Sequence, residues 1–227
     1  MEYMLAPMDK ITDASFRSIC HRYGADLTFT EQIRFETLAK GTPSALDRIR
    51  IPDSTPTMIQ IMGKNEEKLV EFLKNFTPEG GFKGFNLNLG CPSHSYVRQG
   101  IGSAMIKRPT KVAKLVDIIR RYDYNINIKL RLGLNLAEKR EKVYLKLIHK
   151  IEADFFVVHA RYRAEPYEKK ADWKVFPECV ATGKPIVANG DISTKKDVEK
   201  MKEIGCKGVM IGRAAKDDPQ IFEKLRN

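Results

Sequence analysis

Cys91 stands in the run Asn86-Leu87-Asn88-Leu89-Gly90-Cys91-Pro92, where polar and apolar residues alternate up to a Gly-Cys-Pro turn. Such a turn projects the side chain from the end of the element before it. A thiol is mostly protonated at neutral pH, so at the mouth of a pocket it can donate a proton. Cys20, Cys179 and Cys206 lack this setting and read as small buried hydrophobes. Lys129 and Arg131 lie two residues apart in Ile128-Lys129-Leu130-Arg131-Leu132, hence on one side of a strand. Two cations aimed into a pocket call for a negative ligand, such as a cofactor that gains negative charge in its reactive state. An internal ion pair with Asp191 or Glu31 is the competing reading. Asn86 and Asn88 share a strand face in the same way. His159 ends another apolar run, at a rim position that suits ligand contact, although histidine is more often structural. In Asn189-Gly190-Asp191 and Gly212-Arg213, glycines let backbone N–H groups approach an anion and Arg213 adds a forked charge. A phosphate cradle fits both segments; plain turns are the bland alternative.

These residues need elements that bring them to one place. Short apolar runs at 2–6, 26–30, 57–62, 82–89, 126–132, 155–159, 186–189 and 208–211 read as strands. Amphipathic patterns at 13–23, 66–75, 110–121, 137–152 and 194–204 read as helices between them. Asp13, Pro109 and Thr194 sit at helix starts, and Gly24 and Gly205 at helix stops. The connection from Gln32 to Pro56, with Pro43, Pro52 and Pro56, is irregular. The alternation predicts an α/β fold, a TIM (β/α)8 barrel built as a single domain over residues 1–227. An open doubly wound sheet is second choice, because no G-x-G-x-x-G follows the first strand. In a barrel, reactive groups gather at the C-terminal strand ends, and phosphates bind after strands seven and eight. Asn88 to Pro92, Lys129 with Arg131, His159, Asn189-Gly190-Asp191 and Gly212-Arg213 all fall at such ends, as do Ala6-Pro7-Met8 and Gln60.

The chain has 227 residues, with 40 Lys plus Arg against 29 Asp plus Glu, a formal charge of +11. With 42% hydrophobic residues it can bury a core, which excludes a disordered chain. No apolar run approaches the ~18 residues of a membrane span. Glu2 and Pro7 disfavour a signal peptide, and four scattered cysteines suit a reducing, cytoplasmic compartment rather than a disulfide framework or zinc site. The positive balance suits an anionic partner, nucleic acid or a phosphorylated ligand, with lysine-rich solubility as the plain alternative.

Taken together, the motifs resemble those of the tRNA-dihydrouridine synthase family. Leu5-Ala6-Pro7-Met8 opens the match, followed by Gln60-Ile61-Met62-Gly63, Asn86–Pro92 and Gly100-Ile101-Gly102-Ser103-Ala104. Lys129–Gly133, Val158-His159-Ala160-Arg161, Ala171-Asp172-Trp173, Ala188–Ile192 and Gly208–Ala214 continue it in order along the chain.

The resemblance implies an FMN-containing oxidoreductase that reduces uridines in tRNA to 5,6-dihydrouridine, with NADPH (or NADH) as electron donor. It implies Pro7, Met8 and Asp9 along the flavin ring, and Gln60, Lys129 and His159 at its edge. Asn189, Gly190, Asp191, Gly212 and Arg213 would take the phosphate end, Asn88 and Arg131 the target base, and Cys91 would be the general acid that protonates C5. Turning a uracil out of folded RNA needs a flat stacking partner and hydrogen bonds to the base edge, both of which such a site offers. Asp9 departs from the family's frequent small residue, and Ala160-Arg161-Tyr162 from its Gly-Arg-Thr. The family's usual C-terminal helical domain is not expected within these residues, so the barrel's own basic surface or a further partner would grip tRNA. Rival readings are an FMN barrel acting on a free pyrimidine or another small enone, and a noncatalytic RNA-binding barrel.

Overall fold

Nine parallel strands form the sheet: β1 (Glu2–Leu5), β2 (Thr28–Phe29), β3 (Ile33–Arg34), β4 (Thr57–Met62), β5 (Phe82–Leu89), β6 (Ile126–Arg131), β7 (Phe156–His159), β8 (Ile186–Asn189) and β9 (Gly208–Ile211). They come from a computed structural model that describes residues 1–227. The strand order is β1-β9-β8-β7-β6-β5-β4-β2, with β3 also on β4. A parallel bridge between Met4 and Leu27 joins the two ends. The result is a nearly closed (β/α)8 barrel, as the alternation of runs predicts.

The second barrel position is split. Thr28 and Phe29 face Thr57 and Met58, whereas Ile33 and Arg34 face Ile61 and Met62, so 30–32 oppose only 59 and 60. The extra residue breaks the ladder, and the Thr30 hydroxyl takes the Gln60 N–H at 2.9 Å in place of a backbone carbonyl. Ile33–Arg34 therefore belongs to the wall, although its surroundings read from sequence as irregular connection. That connection also holds two short helices, Phe35–Leu38 and Pro43–Asp47.

The expected helices form, with one correction. In place of a single helix over 137–152 there are two, Leu136–Arg140 and Val143–Lys150, broken where Lys142 turns left-handed at φ 54°. The first piece presents no apolar stripe; Leu136 is exposed, and Glu138 is drawn inward to the Leu134 N–H at 2.8 Å. The second buries Val143, Tyr144, Leu147 and Ile148 against the barrel. Elsewhere the start and stop signals work as read. Asp13 accepts from the Phe16 N–H at 2.8 Å, Thr194 and Asp197 form a reciprocal capping box, and Gly205 ends its helix at φ 94°.

Two cores result. The larger lies between strands and helices, built on residues such as Leu5, Ile61, Leu87, Ile128, Leu130 and Val158. The smaller fills the lower barrel with Met4, Phe29, Met58, Val157, Val187 and Met210. No helix is long and apolar enough to cross a membrane.

Candidate active site

Above that apolar plug the interior becomes polar layer by layer, because alternate residues of a strand point inward. Register places Gln60, Asn86 and Asn127 side by side, then Asn88 beside Lys129, and at the top Arg131, His159 and Asn189. The amide layer is internally bonded. Gln60 Nε2 donates to Asn86 Oδ1 at 2.6 Å, and Asn86 Nδ2 donates to Asn127 Oδ1. These bonds offset much of the cost of burying the amides, although Asn127 Nδ2 is left without a partner, and the belt separates the plug from the charged mouth.

The Cys91 turn is held at both ends. Asn88 Oδ1 accepts the backbone N–H groups of Gly90 and Cys91, both at 2.9 Å, and Ser103 Oγ donates to the Cys91 carbonyl at 2.5 Å. Cys91 is buried beside Met62 and Ile101 and lines a cavity of about 170 Å³. Asn88 is fully employed there, since its Nδ2 donates to both Gln32 Oε1 and Gln60 Oε1 at 2.9 Å. For Asn88 to reach a ligand, Gln32 must let go. Burial pushes the Cys20 thiol up to about 12 and the Cys206 thiol to about 11, and raises Cys179 as well.

Neither cation of β6 has a carboxylate partner. Arg131 donates to the Tyr162 carbonyl at 3.2 Å and to the Tyr167 hydroxyl at 2.9 Å. Lys129 Nζ reaches only Asn189 Oδ1, at 3.1 Å. The carboxylates that could have neutralised them are taken: Asp191 by Arg161 and Arg213, and Glu31 by Arg48, which also holds Asp9. Burial, with Arg131 adding to it, brings the Lys129 pKa down to about 7. Burial and then the cations Lys129, Arg131, Arg161 and Arg213 hold His159 well below its ordinary range, so its ring is neutral at pH 7. Arg161 Nη1 lies 3.3 Å from His159 Nε2. A guanidinium can only donate, so Nε2 accepts and the ring proton sits on Nδ1.

The residues expected to form a cradle lie at the β8 and β9 ends. Gly190 has φ 118°, and a Cβ there would lie 2.9 Å from Ala171 Cβ and 3.1 Å from His159 Cδ2. Only glycine fits both the conformation and the space. The Asp191 carboxylate accepts from the Ala171 N–H at 2.7 Å, from Arg161 at 2.6 Å and from Arg213 at 2.5 Å. Desolvation is outweighed by these contacts, and its pKa is lowered. Arg213 remains half exposed and lines a cavity of about 490 Å³ with Met8, Asn189, Gly190 and Gly212. This cavity and the smaller one share Pro7, Lys129, His159 and Tyr167, so they form one cleft from thiol to cradle. A larger cavity of about 610 Å³ lies on the barrel flank near Pro43 and Phe76, with none of these residues.

All fourteen sequence-predicted site residues line this cleft. Sequence reasoning missed Tyr167, whose ring has Arg213, Arg161 and Arg131 at 4.6, 5.3 and 5.5 Å. An aromatic residue amid Arg163, Glu165, Glu168, Lys169 and Lys170 was its only signal. Also missed were Gln32 and the clamping role of Ser103. Arg161, noted only as a neighbour of His159, is fully buried and ties the Lys169 carbonyl to Asp191.

The family model described as Dihydrouridine synthase (Dus) matches residues 4–227. The chain is 29% identical over 228 residues to tRNA-dihydrouridine synthase B of Pseudomonas putida, covering 99% of this chain and 67% of that protein. It is 32% identical over 232 residues to a probable tRNA-dihydrouridine synthase of Helicobacter pylori, covering 98% and 69% respectively. Among solved structures, an active mutant of (S)-mandelate dehydrogenase has a TM-score of 0.55 at 14% identity, covering 100% of this chain and 72% of that one. N-acetylmannosamine-6-phosphate 2-epimerase from Clostridium perfringens has a TM-score of 0.55 at 17% identity, covering 94% and 86%. These two likenesses concern the barrel fold.

Proposed function

Because the chain belongs to the dihydrouridine synthase family, a family of oxidoreductases, we propose that it reduces uridines of tRNA to 5,6-dihydrouridine. One observation carries the reading: a thiol, two cations without carboxylate partners and an anion cradle lie along a single cleft. The cofactor we assign is flavin mononucleotide, with NADPH or NADH as electron donor. The residues suit such a group. Arg131 offers positive charge that no protein carboxylate cancels, Lys129 adds to it in its protonated fraction, and Gly190 and Arg213 offer an anion seat.

In this assignment Arg213 and the backbone around Gly190 and Gly212 hold the phosphate, and Asp191 aims Arg213 rather than touching the anion itself. Pro7, Met8 and Asp9 border the ring, with Gln60, Lys129 and His159 at its edge. When bound, the reduced flavin supplies the hydride that uracil takes at C6. Saturating the C5–C6 bond also requires a proton at C5, and Cys91 Sγ gives it. The enolate oxygen that develops on the base needs a cation in a dry site, which Arg131 provides. Asn88 then contributes mainly by holding the Cys91 turn, and reaches the base only if Gln32 is displaced. The test is incubation with unmodified tRNA, FMN and NADPH, followed by nucleoside mass spectrometry. A gain of two hydrogens on uridine is the expected result; unchanged uridine with flavin bound and reduced overturns it.

A further inference from the structure

Lys129 differs from every other cation at the mouth. Its ammonium has a single protein partner, the uncharged amide oxygen of Asn189 at 3.1 Å, and opens onto both cavities of the cleft. With its pKa brought down to about 7, a large fraction is free amine at neutral pH, whereas an ordinary lysine is almost wholly charged. The larger cavity, about 490 Å³, runs from this amine to Gly190 and Arg213. Beside it, His159 keeps a neutral ring with a proton on Nδ1. A nucleophile at one end of a pocket and an anion seat at the other select for a molecule carrying an electrophilic carbon and a phosphate.

We propose that Lys129 is a covalent capture site for phosphorylated aldehydes. The Nζ lone pair adds to the aldehyde carbon, and a proton passes from nitrogen to oxygen. That oxygen then leaves as water while a C=N bond forms. Amine plus aldehyde gives imine plus water, with no change of oxidation state, and hydrolysis reverses it. Arg213 and the Gly190 backbone seat the phosphate. Capture needs only the cleft in its described form and does not depend on the flavin assignment. If both hold, aldehyde and flavin compete, and capture marks chains without cofactor.

The probe is pyridoxal 5′-phosphate, added to the full chain and trapped with borohydride, which reduces the imine to a stable secondary amine. Peptide mass spectrometry is expected to find one phosphopyridoxyl group per chain, on Lys129. Pyridoxal without the phosphate should label this residue about tenfold more slowly or worse, and Arg213→Ala should slow the phosphorylated probe to a similar rate. Arg213 is half exposed and Asp191 keeps Arg161, so an unchanged melting temperature is expected for that variant. Label spread over surface lysines, or equal rates with and without the phosphate, would overturn the proposal. Added FMN should protect Lys129. Labelling that FMN does not slow would leave the capture site standing and count against the flavin assignment alone.

Discussion

Two residues of the proposed site make predictions of opposite sense, one through the proton it would give and the other through what its burial costs. Cys91→Ala removes only the proton donor, so turnover should fall by about 10²–10⁴-fold while flavin absorbance and tRNA binding persist. Undiminished turnover would remove Cys91 from its role. Lys129 is held for binding at the expense of stability. Its pKa falls from 10.5 to about 7 on folding, so between those values the unfolded chain binds more protons. Stability of the flavin-free protein therefore rises with pH across that window, and the cost of burying the charge is fully felt below pH 7. Lys129→Met should raise the unfolding free energy by roughly 1–3 kcal/mol at pH 6–7. The gain should shrink toward pH 10.5, as urea titrations at several pH values would reveal. A pH-independent difference would mean the lysine is not desolvated.

Among the elements, the turns after β5 and β8 do the positioning. Ser103→Ala leaves the Cys91 carbonyl without its hydroxyl donor in a buried place, a loss of about 1–3 kcal/mol of stability. Since the same bond orients the thiol, kcat should fall more than KM rises, and Ser103→Thr should restore both. Loss of stability with an unchanged kcat would make Ser103 purely structural. Gly190→Ala forces a Cβ against Ala171 and His159 at φ 118°, at a cost of about 1–3 kcal/mol. Flavin mononucleotide affinity should drop with it by more than that of riboflavin, which lacks the phosphate and loses only through the pressure on His159. Equal losses for the two ligands would place the phosphate elsewhere.

For the whole molecule, the formal charge of +11 would govern the meeting with RNA that the proposed function requires. The mouth concentrates part of it: Lys129, Arg131 and Arg213 face one cleft, with the buried Arg161 behind them, and Asp191 is engaged by Arg161 and Arg213 alone. Attraction to phosphates of this kind is lost to counterions as salt rises. A log–log plot of tRNA affinity against salt between 50 and 200 mM should have a slope of about −3 or steeper, and a flat plot would argue for a small-molecule substrate. The interior grading serves the same end. An apolar plug and a cross-bonded amide layer below a cationic mouth let a barrel with repulsive charges at its top still fold.

The amino-acid sequence by itself determined the barrel, its helix ends and the strand tips where the chemistry gathers, because period, capping residues and glycine turns are local signals. Residue pairs two apart, such as Lys129 with Arg131, also declared a shared face. What only the tertiary structure decided depends on partners distant in the chain. Asp191 and Glu31 might have neutralised Lys129 and Arg131, and nothing local says that Arg161, Arg213 and Arg48 claim them first. The break at Lys142, the bulge that makes Ile33–Arg34 part of the wall, Asn88's full engagement and Tyr167 among three guanidinium groups are of the same kind. Each is settled by competition for hydrogen bonds and charge between segments that meet only once the cylinder is closed.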